Sequence, residues 1–446
     1  MEATSPDGTG LLTDHYELTM LRAALGSGAA HRQAVFEVFA RHLPQGRRYG
    51  VVAGTGRFLD ALARFRFGGR ELEFLRGTGV VDERTAQFLA GYRFSGSIWG
   101  YAEGDCYFPG SPILVVEGTF AEAVVLETLA LSILNHDCAI ASAASRMISA
   151  AGQRPIIEMG SRRTHELAAP AAARAAYIAG FSSTSNLRAG LDYAVPTTGT
   201  SAHAFTLVHD DERQAFRMQL ESLGTGTTLL VDTYDVQSAV RDAIDLAGPG
   251  LGAVRIDSGD LLVIAAQVRD QLDRLGATGT RIVVTGDLDE YSIAGLSGAP
   301  VDGYGVGTSL VTGSGAPTAA LVYKLVARTS DRVAGDRVAG DLEPVAKRSV
   351  GKPSRGGRKW AVRRFDRSGT AAAEVIYDAR PEEQPAQRTL LHELVRDGEI
   401  VGAEPTLAAR ERHRLAIGEL PAHALALSRG YPAIPTVYDP ADHPGQ

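Results

Sequence analysis

Between residues 155 and 312 the chain repeats one unit: a short apolar, β-branched run, then a polar or Gly-rich turn, then an Ala/Leu-rich amphipathic segment. Apolar runs bounded by turn residues read as strands and 3.6-residue periodicity reads as helix, so the alternation specifies βα units around a parallel sheet. Strand ends are legible at IIEMGSRR, GFSSTSN, AVPTTGTSAH, LLVDTYD, AVRIDSGD, IVVTGDLD and GYGVGTSL. The segments APAAARAAYIAG, DDERQAFRMQLESLG, VQSAVRDAIDLAG and LLVIAAQVRDQLDRLG predict helices between them. Successive units of this length fit a (β/α) barrel, irregular or incomplete, better than a doubly wound sheet.

The flanking regions differ in character. LTDHYELTMLRAAL is an amphipathic start, HRQAVFEVFARHL alternates, and VVEGTFAEAVVLETLALSILNHD predicts a long helix leading into the barrel. Beyond about residue 331 the βα period fails: SDRVAGDRVAGDLEP carries a near-tandem RVAGD repeat that reads as an exposed linker or hairpin. GGRKWAVRRFD and AEVIYDA read as antiparallel strands, and the Pro-rich YPAIPTVYDPADHPGQ as extended or frayed. The fold class is therefore α/β, an irregular (β/α) barrel domain plus an α+β domain formed by the N- and C-terminal regions. Three segments follow: 1–135 as the N-terminal α+β domain with its connecting helix, 136–330 as the barrel, and 331–446 packing back on the first.

Composition narrows the function. Lys+Arg 45 against Asp+Glu 52 leaves a net charge of −7, with no cationic excess to displace counterions from a nucleic acid. Cys106 and Cys138 are the only cysteines, with no CxxC and no His/Cys spacing typical of zinc, which suits a reducing cytoplasm. The N-terminus lacks a basic region followed by an apolar stretch, and no uninterrupted run of about 18 apolar residues occurs, so neither secretion nor a membrane span is expected.

In a barrel the chemistry gathers at the C-terminal ends of the strands, where this chain places Asp, Arg, His, Ser, Thr and Gly. Such residues also cap the helices that follow, so each has a structural reading beside its functional one. Gly286, Gly305, Gly307 and Thr308 fall in two consecutive Gly-rich turns before helices, where exposed N–H groups attract phosphate. Neither GxGxxG after a first strand nor GxxxxGK[ST] is present. Arg255 lies on or at the end of a strand and needs an anionic partner, either a ligand or an internal aspartate. Asp257, Ser258, Gly259 and Asp260 follow it, with hard oxygen donors suited to a ribose diol or Mg²⁺. His203 sits among small residues near Thr200 and Ser201. A carboxylate such as Asp232, bonded to one ring nitrogen, would leave the other as base or nucleophile. Arg162 and Arg163 in EMGSRRTHE are anion binders, one of them facing solvent or an ion pair.

LLTDHYELTM, EMGSRRTHE, FSSTSN, GTSAHAF, LLVDTYD, VRIDSGD, VTGDLD and GVGTSL, in this order from about residue 11 to 365, resemble the nicotinate phosphoribosyltransferases, type II phosphoribosyltransferases. The resemblance implies a barrel-like domain plus one built from both termini. It also implies formation of nicotinate mononucleotide and pyrophosphate from nicotinate and phosphoribosyl pyrophosphate, in NAD salvage, with ATP as co-substrate and Mg²⁺ as cofactor. His203 matches the phosphorylated histidine and Asp232 the carboxylate beside it. Tyr16 would stack on nicotinate from a neighbouring subunit of a homodimer with shared active sites. Arg162, Thr200 and Arg255 match the nicotinate pocket. Asp257, Ser258, Gly259, Gly286, Gly307 and Thr308 match the phosphoribosyl pyrophosphate site, and Asp260 is the candidate Mg²⁺ ligand. Met159 departs from relatives that place an aromatic there. A nicotinamide- or quinolinate-using enzyme, or a non-catalytic nucleotide-binding regulator, stays open beside this reading.

Overall fold

The computed structural model describes residues 8–330, 341–347 and 355–439; the RVAGD duplication, apart from Asp341, lies outside them. The chain forms two compact units, Ile140–Pro317 and a terminal unit made of Met1–Ala139 with Thr318–Gln446.

In the Ile140–Pro317 unit six short strands pair in parallel. Their order is Ser183–Thr184, Ile156–Glu158, Gly303–Val306, Arg281–Val284, Ala253–Ile256 and Thr228–Leu230. Val254, Ile256, Ile282, Val284, Tyr304 and Val306 are fully buried, as expected of a parallel sheet whose strands read as continuous apolar runs. Helices Glu212–Leu223, Val236–Ala247 and Leu261–Arg274 bury Phe216, Val240, Ile244, Val268 and Leu272. Truncating Leu272 to alanine would cost about 2–5 kcal/mol.

Instead of a seventh strand, AVPTTGTSAH contributes a single bridge, Thr184 to Thr197. Pro196 has no N–H to donate and Ala194 turns the chain at φ 54°, so the segment runs on as an extended loop. The barrel is thus open.

The terminal unit is built on a seven-stranded antiparallel sheet, ordered Leu342–Pro344, Leu321–Thr329, Gln33–Ala40, Leu114–Thr119, Ser97–Tyr101, Leu391–Arg396 and Glu399–Ile400. Leu321–Thr329 pairs along the whole of Gln33–Ala40 and so belongs here, which moves the division between units from the expected residue 330 to Pro317. Leu114–Thr119, expected as the start of a long helix, is a strand. The helical run opens at Phe120, where Thr119 and Glu122 form a capping box, and resumes as Glu127–Ala151. By length and composition Phe120–Ala151 would suffice to cross a membrane, but 67% of its apolar window is buried inside the protein, as in a core helix. A smaller sheet joins Gln387–Thr389, Trp360–Phe365, Ala371–Tyr377 and Thr436–Tyr438. The last of these, expected to be extended or frayed, is extended and pairs parallel to Ala371–Tyr377.

A buried ion-pair network lies inside this unit. Arg363 is fully buried and donates to Glu374 at 2.6 Å and to Asp105 at 3.3 Å, while Arg388 donates to Asp105 and Glu419, each at 2.7 Å. Removing one partner would strand a buried charge, at about 3–5 kcal/mol.

Candidate active site

The loops that follow the parallel strands carry two sorts of acidic residue. Asp211, Asp235, Asp260 and Asp289 accept the backbone N–H groups of Gln214, Ser238, Val263 and Ser292, each opening a helix. They meet N–H groups that have no partner within the helix. Asp232, Asp257 and Glu158 cap nothing and stand at the strand ends themselves.

Arg255 and Asp257 share a face of the Ala253–Ile256 strand and its extension, since alternate residues point the same way. In parallel register Arg255 lies opposite Val283, which brings Thr285, two residues on, beside Asp257. Arg255 is 9% exposed, and its guanidinium donates to three groups: Nε to Thr285 Oγ1 at 3.0 Å, Nη1 to Thr200 Oγ1 at 2.8 Å, and Nη2 to Asp257 Oδ1 at 2.7 Å. Thr285 in turn donates to Asp257. Burial alone would push the Asp257 carboxyl up, but hydrogen bonds from Thr285 and Arg255, with the arginine's charge, hold it below the usual carboxylate range. The internal pairing open to Arg255 is therefore realised, with hydrogens to spare.

His203 is the first residue of the short helix His203–Leu207, and its side chain is 40% exposed. Its Nδ1 lies 3.1 Å from Thr233 Oγ1. Asp232, expected to bond the ring directly, approaches Nε2 only to 3.9 Å. Its Oδ2 accepts the Asp257 N–H at 2.9 Å and the Ser258 hydroxyl at 2.7 Å, and its buried Oδ1 has no hydrogen-bond partner among the described residues. The hydroxyl of Thr233, not the carboxylate, fixes the ring, because Asp232 is drawn toward the 257–258 turn.

Behind these groups Glu158 is buried and accepts the Gly160 N–H and the Thr184 hydroxyl; burial pushes its carboxyl up. This bond shapes the turn bearing Arg162 and Arg163, both exposed. Gly286, at φ 110°, packs so that a Cβ would stand 2.5 Å from the Asp257 carbonyl oxygen; only glycine fits there. Gly307 lies against Met159, whose sulfur closes on Gly305, so Met159 acts as packing under the turn. Thr308 is exposed and opens the short helix Thr308–Val311, and Gly259 adopts φ 85°.

The expected residues thus fall into groups. Arg255, Thr200 and Asp257 are joined, as are His203, Asp232 and Ser258 through the shared loops. Arg162, Thr308 and Asp260 line the same ends of the sheet without bonding to either group among the described residues. Tyr16 belongs to the terminal unit, 44% exposed at the start of helix His15–Ser27. Asp260 spends one oxygen on its helix cap, and among the described residues no three His, Cys, Asp or Glu side chains cluster as a metal cage. Thr233, Thr285, Thr184 and Glu158 were not singled out from sequence. Their signal was a buried or strand-end polar residue with no helix to cap.

An open parallel barrel whose strand ends gather an arginine–threonine–aspartate web and a histidine beside a buried carboxylate, joined to a unit woven from both chain termini, is the make-up of a two-domain phosphoribosyltransferase. The fold is that of a solved human nicotinic acid phosphoribosyltransferase, TM-score 0.81 at 24% identity over 97% of this chain and 98% of that one. A nicotinate-nucleotide pyrophosphorylase from Pyrococcus furiosus matches at TM-score 0.75 and 24% identity, over 94% and 98%. The sequence model of the nicotinate phosphoribosyltransferase N-terminal domain matches residues 11–135. A nicotinate phosphoribosyltransferase of Mycobacterium tuberculosis is 58% identical over 99% of this chain and 97% of its own length, and one from Bacillus subtilis 36% identical over 73% and 68%. The chain belongs to the nicotinate phosphoribosyltransferase family and is an enzyme of that type.

Proposed function

We propose that this chain joins nicotinate to phosphoribosyl pyrophosphate, giving nicotinate mononucleotide and pyrophosphate for NAD salvage, with ATP hydrolysis coupled through phosphorylation of His203. The observation that carries the substrate reading is Arg255, nearly buried and held by three bonds, which leaves two of its five N–H groups for an anion. A nicotinate carboxylate satisfies them with two charged oxygens; a neutral amide offers one uncharged carbonyl oxygen.

In the transfer the pyridine nitrogen attacks C1 of the ribose as the C1–oxygen bond to pyrophosphate breaks, so positive charge grows on the sugar and negative charge on the leaving group. Arg255 and Thr200 orient the ring through its carboxylate, and the phosphoribosyl phosphate takes the N–H groups of the Gly286 and Gly307–Thr308 turns. Asp257, Ser258 and Gly259 present the ribose side, and Arg162 answers the anionic groups. Mg²⁺, when bound, would supply charge compensation for the polyphosphates. The exposed Asp260, with one oxygen outside its helix cap, is the residue that would hold it.

For the ATP step, with the Nδ1 proton donated to Thr233, Nε2 is the free nucleophile. It bonds to the γ-phosphorus as the bond to the β–γ bridging oxygen breaks and ADP leaves. The Asp232 charge, 3.9 Å away, stabilises the imidazolium character that develops. Two buried free cysteines suit a cytoplasmic enzyme, and Tyr16 would reach the ring from a second copy of the chain in a homodimer.

Product analysis with nicotinate, nicotinamide and quinolinate, each with phosphoribosyl pyrophosphate and with or without ATP, tests this. Nicotinate mononucleotide formed from nicotinate and raised by ATP is expected; consumption of quinolinate with release of CO₂ would overturn it.

A further inference from the structure

Tyr16 has a neighbour that the reaction does not explain. Glu17, one residue on in the helix His15–Ser27, is fully buried while Tyr16 stands 44% exposed. One Glu17 oxygen accepts the Thr128 N–H at 2.9 Å and the Thr128 hydroxyl; the other accepts the hydroxyl of Thr13. Thr128 is the second residue of helix Glu127–Ala151, so its N–H lacks an intrahelical acceptor. Glu17 therefore caps a helix that lies more than a hundred residues away in sequence.

All these donors are neutral, and burial pushes the Glu17 carboxyl up. A carboxylate without a cation is a poor choice where an apolar side chain would pack. What it supplies is direction: bonds to Thr13 on one side and Thr128 on the other fix the rotation and height of the helix start. The Glu127 carboxylate, whose charge acts on the Tyr16 phenol, faces Lys324 Nζ at 3.8 Å. Burial and the charges of Glu127 and Glu17 push the Tyr16 phenol well up, so it remains a donor. The helix start that carries the ring is held through Glu17.

We propose that Glu17 is a positioning residue for nicotinate binding: by capping the Glu127–Ala151 helix it sets the Tyr16 ring that stacks on the substrate. This rests on the role given to Tyr16 above. Pre-set placement of a binding group tightens substrate without changing the chemical step.

The test is steady-state kinetics of the full enzyme carrying Tyr16→Ala, Glu17→Gln or both. Glu17→Gln is expected to raise the nicotinate KM about fivefold to tenfold, with kcat within about twofold and the phosphoribosyl pyrophosphate KM unmoved. The double variant should be no worse than Tyr16→Ala alone, because coupled residues do not add. Should Glu17→Gln not fold, Thr128→Ala removes only a hydroxyl donor and is expected to raise the nicotinate KM about twofold to threefold. An unchanged nicotinate KM in Glu17→Gln, or additive losses in the double variant, overturns the proposal while the Tyr16 role stands. A nicotinate KM unchanged by Tyr16→Ala overturns both.

Discussion

Asp232 Oδ1 lies 3.9 Å from His203 Nε2, buried and without a hydrogen-bond partner among the described residues, while its sister oxygen is fully engaged by the 257–258 turn. The carboxylate thus acts on the ring through charge, and Thr233 through geometry. Asp232→Asn should keep the turn bonds and slow ATP-dependent labelling by about ten- to a hundredfold, the range of a lost charge-assisted contact. His203→Ala, at a part-exposed position, should stay folded and lose both ATP hydrolysis and the acid-labile label from γ-labelled ATP. Labelling like wild type in that variant would remove His203 from the role.

Arg255→Gln should raise the nicotinate KM about ten- to a hundredfold and leave any nicotinamide KM nearly unchanged, because only the acid uses the guanidinium charge. Parallel KM measurements on the two substrates check this. Equal losses on both would mean that the web to Thr200, Thr285 and Asp257, not the carboxylate, is what Arg255 serves.

Glu212 opens the helix Glu212–Leu223, and its buried Oε1 has no hydrogen-bond partner among the described residues. Burial, then the charges of Asp242, Asp232 and Asp235, push its carboxyl up to about 7. The folded chain keeps this proton where an unfolded glutamate, titrating near 4.5, has lost it. Stability is therefore lost as pH rises between those values and stays lower above them. Glu212→Gln should gain on wild type at pH 8 and show no gain near pH 4, read by denaturant unfolding at each pH.

Gly286→Ala combines a disfavoured φ of 110° with a Cβ 2.5 Å from the Asp257 carbonyl. A loss of about 1–3 kcal/mol is expected, together with a phosphoribosyl pyrophosphate KM that rises more than the nicotinate KM. Urea unfolding and the two KM values together distinguish local strain from damage to the ligand turn.

Mixing Tyr16→Ala with His203→Ala subunits should restore part of the activity if sites are completed across a homodimer. Demonstrably mixed dimers with no recovery would count against shared sites.

The parallel strands were legible because runs such as AVRI and GYGV are buried on both faces, and their helices because Asp and amphipathic periodicity mark each start. Leu114–Thr119 was hidden because its short apolar run is separated from the helix beyond by only Glu117, Gly118 and Thr119, too few residues for periodicity to part strand from helix. Thr436–Tyr438 was hidden behind prolines that disfavour a strand in isolation, and only pairing with Ala371–Tyr377 secures it. In the site, Arg255 and Asp257 announced themselves as charges at a barrel strand. Thr285 and Thr233 did not, since threonine is ordinary in strands and their partners depend on cross-strand register and loop path. The same holds for Asp232: sequence placed it near His203, but its preference for the Ser258 turn is a tertiary choice.

The weave of the terminal sheet has a consequence for synthesis. Gln33–Ala40 must wait for Leu321–Thr329, and Ser97–Tyr101 for Leu391–Arg396, with the whole Ile140–Pro317 unit made in between. At about 5–20 residues per second, the first strands stand with open edges on the ribosome for about ten seconds to a minute. The contiguous unit is then the first able to close. Proteolysis of stalled nascent chains should find residues 140–317 protected before Gln33–Ala40; the reverse order would show that the N-terminal segment folds without its distant partners.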